Sequence, residues 1–259
     1  MLNNIIKKLL FKNKYGWFGD YHTWGDAVID TIGYDSDEIF QKVSKASLKV
    51  KTGEAVYERD SVIFDKIQYS WPLLSSLMYV SAKNSGRLNI IDFGGSLGST
   101  YFQNQKFLMS LPMHSWNIIE QPKFVDYGKK YIQTENLHFF NSIDECLESF
   151  QVNAILLSSV LPYLEKPHEF LYKVINKYSF EYIIIDRTGF IKRNKDRITV
   201  QRVSPEIYNA SYPCWFFNKE KMLRNFQVKY EKLIEWDALG SANIESNFKG
   251  MLFKRLSVT

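Results

Sequence analysis

Two carboxylates, each closing a run of β-type residues, are the parts of this sequence best suited to hold a ligand. Asp92 lies near the end of Leu88–Phe93, which leads directly into Gly94, Gly95, Ser96, Leu97 and Gly98 and then into a helical pattern from about Ser99 to Leu111. A strand, a glycine turn and a helix in that order let a ligand approach the backbone where side chains are missing, against the free N–H groups of the helix start. Glu120 closes a second run, Trp116–Glu120, 28 residues after Asp92, and Gln121 follows it. A carboxylate at that strand end can accept both hydroxyl protons of a ribose. As a dinucleotide fingerprint the turn fails, because counting from Gly94 puts Ser96 and Ser99 where the second and third glycines belong. A bare structural turn and a helix-capping or solvated Glu120 are the plainer alternatives.

Ligands of a parallel α/β sheet sit beyond the carboxyl ends of its strands, which sorts the other reactive side chains. His114 precedes the second strand, His138 starts the third and His168 falls in a helix, so His22, in Tyr21–His22–Thr23–Trp24, is the remaining histidine candidate for a base. A surface or packing histidine is the plainer reading. Ser158, Ser159 and Tyr163 follow the fourth strand, and Asp186 and Arg187 the fifth; Asp186 could take a proton and Arg187 an anion, unless the two form a buried ion pair. Tyr208, Tyr212 and Trp215 read either as an acceptor-side wall or as core. Tyr15, Trp17, Tyr21, His22 and Trp24, with Arg59 further on, suggest a lid that recognises a sugar-like anion. Lys192, Arg193, Lys195 and Arg197 form a basic run, a solvated loop or a phosphate patch.

These side chains need a scaffold, and the pattern supplies one after about Ser85. Strands at Leu88–Phe93, Trp116–Glu120, Leu137–Phe140, Val152–Leu157 and Glu181–Asp186 alternate with helices at about Ser99–Leu111, from Pro122, Asp144–Phe150 and Pro167–Tyr178. Such alternation predicts a parallel, doubly wound sheet. A helix over Asn218–Phe226 and two final strands, Val228–Trp236 and Lys249–Val258, add an antiparallel edge. Before Ser85 the pattern is helical: cap-type residues Asp35–Glu38 precede Ile39, Val43, Ala46 and Val50, and Ser61–Val80 reads as a second long helix kinked near Pro72. The expected division is a helical amino-terminal cap over residues 1–85 and a ligand-binding core over 86–259, with an insertion at about 187–217.

The 259 residues are 45% hydrophobic and 24% charged, globular proportions that exclude a disordered or fibrous chain. A net charge of +5 suits a cleft for a small anion and does not suggest nucleic acid. Cys146 and Cys214 have no partner at zinc or redox spacing, so a reducing, cytoplasmic setting and no metal site are expected. No apolar run is long enough to cross a bilayer. Met1–Lys12 reads as a surface helix, with peripheral membrane contact as the alternative.

Asp92, Gly94 and Gly98 also match an acidic–x–Gly–x–Gly–x–Gly loop in which Ser96 replaces the middle glycine. With Glu120–Gln121, Ser158–Tyr163, Asp186–Thr188, Ser211–Pro213, Gly33–Asp35 and Tyr57–Asp60, this resembles the class I S-adenosylmethionine-dependent methyltransferases, and more closely a group of bacterial methyltransferases found among surface-polysaccharide genes. The resemblance implies an α/β, doubly wound, Rossmann-like seven-stranded sheet with an antiparallel last strand. It also implies S-adenosylmethionine as methyl donor and S-adenosylhomocysteine as product, with Asp92, Gly94 and Gly95 near the methionine part and Glu120 on the ribose. Ser96, Gly98, Gln121 and Ser158 complete the expected cofactor set, and Tyr21, Arg59, Tyr163, Arg187, Tyr208, Tyr212 and Trp215 the expected acceptor set. His22 and Asp186 are the candidate catalytic residues, without a metal. The acceptor expected is a small anionic saccharide or nucleotide-linked saccharide, such as a phosphate-linked, for example phosphoramidate-type, decoration of a surface polysaccharide. An NAD-dependent nucleotide-sugar oxidoreductase and a non-catalytic cofactor-binding protein are the alternatives.

Overall fold

The computed structural model describes residues 14–32 and 37–257. The amphipathic opening Met1–Lys12, the segment Gly33–Asp35 and the cap residue Ser36 lie outside the described residues. In chain order the elements are β1 (Gly16–Tyr21), α1 (Trp24–Ile29), α2 (Asp37–Lys51), the hairpin strands β2 (Tyr57–Arg59) and β3 (Val62–Phe64), and α3 (Trp71–Lys83). Next come β4 (Arg87–Phe93), α4 (Ser99–Leu108), β5 (Met113–Ile119), α5 (Pro122–Tyr127), β6 (Leu137–Phe140), α6 (Ile143–Ser149), β7 (Ala154–Ser158) and α7 (Pro167–Lys173). The chain ends with β8 (Tyr182–Ile191), β9 (Arg197–Arg202), β10 (Ser211–Asn218), α8 (Lys219–Arg224), β11 (Tyr230–Asp237) and β12 (Asn247–Arg255).

One sheet of ten strands runs β1-β9-β10-β8-β7-β4-β5-β6, with β12 also paired to β8 and β11 to β12. The five strands β6, β5, β4, β7 and β8 are mutually parallel, and β12 runs antiparallel to β8. The expected count of seven is therefore corrected to ten, the additional strands being β1, β9 and β10. They arise because β8 does not stop at Asp186 but continues to Ile191, and its far end pairs with β10. The stretch expected as an insertion, 187–217, is thus largely strand.

Alternation along the strands divides the core between two faces. Leu88, Ile90, Trp116, Ile118, Leu156 and Ile184 pack with α2, α3, α4 and α5, while Ile91, Ile119, Ile155, Leu157, Ile183 and Ile185 pack with α6, α7 and α8. Continuing the even positions of the first set by one step gives Asp92, Glu120, Ser158 and Asp186. Four polar residues at neighbouring strand ends therefore share one face, under α2 and α4.

The segment before residue 86 differs from the helical cap expected. Its first strand, β1, joins the main sheet antiparallel to β9. Residues 57–64, expected to be partly helical, form a hairpin with a two-residue loop, Asp60 and Ser61, at φ 53° and 70°. Two-residue hairpin loops take positive φ at both positions so that the turn matches strand twist. Pro72 does not kink a helix; it lies in the first turn of α3, where its missing N–H costs no hydrogen bond.

Candidate functional site

The turn after β4 is wound tightly by three residues in the left-handed region, Gly94 (φ 72°), Ser96 (φ 53°) and Gly98 (φ 95°). Ser96 adopts the conformation that favours glycine, so the missing middle glycine changes the residue without changing the turn. A Cβ on Gly94 would collide with Val160, and one on Gly95 would come within 2.6 Å of the Asp92 carboxylate. Gly94 N–H donates to the Ile119 carbonyl at 2.9 Å, tying the turn to the end of β5. There Glu120 receives the Ser96 N–H on Oε1 at 3.3 Å and the Gln121 N–H on Oε2 at 2.8 Å. Burial holds the Glu120 carboxyl above its ordinary pKa, partly offset by these two backbone donors.

Asp92 is 1% exposed. Burial lifts its pKa to about 7, against the opposing effects of the Trp116 indole N–H, which donates at 3.0 Å, and of the Arg187 charge. Asp186 repeats the device: 2% exposed, it receives the Trp236 indole N–H on Oδ1 at 3.1 Å and the Ser158 hydroxyl on Oδ2 at 3.3 Å. Its pKa is also raised, chiefly by burial.

Two cavities meet at these strand ends. One, about 1050 Å³ and open to solvent, lies under α2 and the β2–β3 hairpin and is lined by Asp92, Gly94, Gly95, Ser96, Ser158, Tyr163, Arg187, Tyr208 and Tyr212, with Glu58, Arg59, Asp60 and Gln201. The other, about 1380 Å³, is lined by Phe93, Gly94, Glu120, Gln121, Asn141, Val160, Tyr163 and Trp24. Gly94, Ser159, Tyr163 and Tyr212 border both, so the glycine turn divides one continuous cleft.

Most of the residues singled out from the sequence converge there; His22, Tyr21, Trp215 and Asp186 do not, and Trp17, Lys192, Arg193 and Arg197 line a separate pocket. His22 sits exposed in the turn between β1 and α1 and lines neither cavity, because β1 belongs to the far edge of the sheet. Tyr21, on the same edge, donates its hydroxyl to Asp30 at 2.7 Å and packs near Ile198 and Val200. Trp215 lies on the face of β10 opposite Tyr212, stacked on Trp24, with its N–H given to the Leu164 carbonyl at 3.0 Å. Asp186 lines a small pocket, shared with Tyr57, Arg59 and Arg187, beside the first of these cavities. Tyr163, by contrast, lines both cavities, donates to Gln201 Oε1 at 2.7 Å and meets Tyr212 edge to face.

Sequence reasoning passed over Glu58 as a reactive group. It is 2% exposed yet lines the cavity, receiving the Ser99 hydroxyl and the Ser47 hydroxyl (3.3 Å) on Oε1 and the Ser61 N–H (3.2 Å) on Oε2. Burial raises its pKa above the usual carboxylate range. The available signal was the charged run Tyr57–Asp60 followed by the alternation of Val62 and Phe64, which marks a hairpin. Among the described residues no group of three or more His, Cys, Asp or Glu side chains could hold a metal ion, and no helix is long and apolar enough to cross a membrane.

Neither a protein-family model nor a curated protein sequence matches the chain. Solved structures resemble it distantly. The amino-terminal domain of EvdMO1, in the presence of S-adenosylhomocysteine and D-fucose, is 12% identical, with 83% of this chain and 97% of that one covered at a TM-score of 0.49. The 1,6-didemethyltoxoflavin-N1-methyltransferase of Burkholderia thailandensis, with 1,6-didemethyltoxoflavin and S-adenosylhomocysteine bound, is 10% identical over 93% of this chain and 94% of its own, at 0.43. The N-methyltransferase NodS of Bradyrhizobium japonicum WM9, in complex with S-adenosylhomocysteine, is 10% identical over 85% and 100%, at 0.44. Likeness of this order leaves the chemistry to be decided by the residues of the cleft.

Proposed function

We propose that the chain is an S-adenosylmethionine-dependent methyltransferase that O-methylates a small, sugar-like acceptor, in its most specific form a sugar or phosphate-linked decoration of a bacterial surface polysaccharide or its nucleotide-linked precursor. The polysaccharide destination rests on the sequence resemblance alone. The cofactor half rests on one observation above the rest: the Ser96 N–H of the glycine turn donates to Glu120, so the turn and the ribose-type carboxylate form one unit with Asp92 beside it.

The charge of that unit favours this donor over NAD. A pyrophosphate needs N–H groups with no carboxylate opposite them, yet Asp92 lies against Gly95 and Glu58 against Ser99. A cation is the better complement to two buried carboxylates. When bound, the donor supplies an already activated sulfonium methyl, leaving the protein to position the acceptor and exclude water. In a transfer that would exchange the methyl carbon's bond to sulfur for one to the acceptor oxygen, Glu58 takes the acceptor proton on Oε2, which among the described residues accepts only the Ser61 N–H. Asp186 is less suited to that role, since it lies in the small neighbouring pocket and does not line the main cavity as Glu58 does.

Transfer of labelled methyl from S-adenosylmethionine to phosphorylated and nucleotide-linked sugars tests this reading. The rate should rise with pH as Glu58 loses its proton. Glu58→Gln should remove that limb and lower kcat about 10²- to 10⁴-fold, with affinity for S-adenosylhomocysteine, which lacks the sulfonium charge, near wild type, and EDTA should leave turnover intact. Label recovered only on protein or nucleic acid contradicts the acceptor assignment, and turnover lost to EDTA but restored by magnesium contradicts the metal-independent mechanism.

A further inference from the structure

Arg187 is held in a backbone conformation that an arginine adopts only under compulsion. Its φ is 49°, within a strand. The register explains it: Thr188 faces Lys249 and Ile185 faces Met251, so Asp186 and Arg187 together oppose the single residue Gly250. This is a β-bulge, a device that re-aims a side chain and that proteins place beside functional sites. The left-handed position of a bulge ordinarily takes glycine, and a non-glycine residue is strained there.

The surroundings fix the bulge from two sides. Gly250 has no Cβ because the Trp236 indole occupies that space. The same indole donates its N–H to Asp186, the other bulged residue. Trp236, Gly250 and Asp186 thus form a seat whose outcome is the direction of Arg187, which lines the main cavity and gives its Nε–H to Ser158 at 3.3 Å.

A second guanidinium enters the cavity from the hairpin. Arg59, half-buried, lies over the Phe64 ring at 5.5 Å. Neither Arg59 nor Arg187 makes an ion pair among the described residues, and both lie close enough to Tyr57 to offset part of the rise that burial gives its pKa. Three of the carboxylates near them already accept hydrogen bonds: Glu58 from three donors, Asp92 from Trp116, and Asp186 from Trp236 and Ser158. Two guanidinia lining one cavity with Tyr208 and Tyr212, Arg187 giving only its Nε–H to Ser158 among the described residues and Arg59 without an ion pair there, suit an anion with more than two oxygens.

We propose that Arg187 and Arg59 form a phosphoryl-binding subsite for the acceptor, and that Trp236, Gly250 and Asp186 are positioning residues that aim Arg187 into it. The subsite deepens the methyltransferase reading by giving the acceptor a phosphate or diphosphate group, and it recasts Asp186 from a base into part of the Arg187 seat.

The test is isothermal titration of inorganic pyrophosphate, and in parallel of uridine diphosphate glucose, into protein saturated with S-adenosylhomocysteine. Both probes should bind, and Arg187→Ala should weaken both about tenfold or more. Trp236→Phe keeps an aromatic ring but removes the N–H, and should weaken them by about threefold to tenfold. Affinity for S-adenosylhomocysteine should stay within about twofold in both variants, which also reports that they fold. Pyrophosphate binding unaffected by Arg187→Ala overturns the subsite, as does pyrophosphate excluded by S-adenosylhomocysteine, since the guanidinia would then be holding the methionine carboxylate. Wild-type affinity in Trp236→Phe overturns the positioning role. If S-adenosylhomocysteine itself fails to bind, the cofactor reading falls alone, and the same titrations on ligand-free protein decide the subsite.

Discussion

Asp92→Asn is expected to make the ligand-free protein more stable near pH 8 and to weaken cofactor binding at the same time. Asp92 is buried with a pKa of about 7, so its proton is held more tightly in the folded chain than in the unfolded one. Below about pH 4 the carboxyl is neutral in both states and contributes nothing. As pH rises from there to about 7 the unfolded chain ionises first, and wild-type stability falls. Above about pH 7 the loss is complete, on the order of 3–4 kcal/mol from the size of the shift. Asparagine does not ionise, keeps an oxygen for the Trp116 N–H, and should remove the fall between about pH 4 and 7. A cationic donor loses its counter-charge in the variant, so affinity for S-adenosylmethionine should drop more than that for S-adenosylhomocysteine, which lacks the sulfonium charge. Thermal melts across this pH range check the first part; an unchanged pH profile would mean that Asp92 is not a strained carboxylate.

The second large effect is expected at Glu120. Its carboxylate carries two contributions, a charge-assisted contact to ribose hydroxyls and the anchor for the Ser96 N–H. Glu120→Ala should weaken S-adenosylhomocysteine by roughly 1.5–3 kcal/mol, or about 10- to 150-fold. Glu120→Gln keeps one carbonyl acceptor and should fall between alanine and wild type. Equal, wild-type affinity in both variants would remove Glu120 from the site.

The parallel part of the sheet was legible because its strands are short apolar runs bounded by strong punctuation. Leu137–Phe140 matches β6 residue for residue, and the glycine turn, Pro122 and Pro167 mark the starts of α4, α5 and α7. Asp92, Glu120, Ser158 and Arg187 followed from knowing where such strands end. Legibility failed where tertiary pairing decided the conformation. Nothing local says that β8 runs on past Asp186, since its last residues are held by β10 and β12. Without β9 and β10 in view, β1 has no partner to reveal it, so the sequence places Tyr21 and His22 by the cleft where the structure has them at the sheet edge. Trp215 was grouped with Tyr208 and Tyr212 by proximity in sequence, whereas the two-residue period of a strand sends Tyr212 and Trp215 to opposite faces. The indole bonds from Trp116 and Trp236 join residues 24 and 50 positions apart and leave no trace in a local pattern.

The most direct measurement is isothermal titration of the wild-type protein with S-adenosylhomocysteine and, separately, with NAD. A cleft in which Glu120 grips a ribose and Asp92 and Glu58 flank the glycine turn should bind S-adenosylhomocysteine saturably at one site per chain, and bind NAD more weakly, through the Arg59–Arg187 diphosphate subsite alone. Saturable NAD binding without any for S-adenosylhomocysteine would contradict the account.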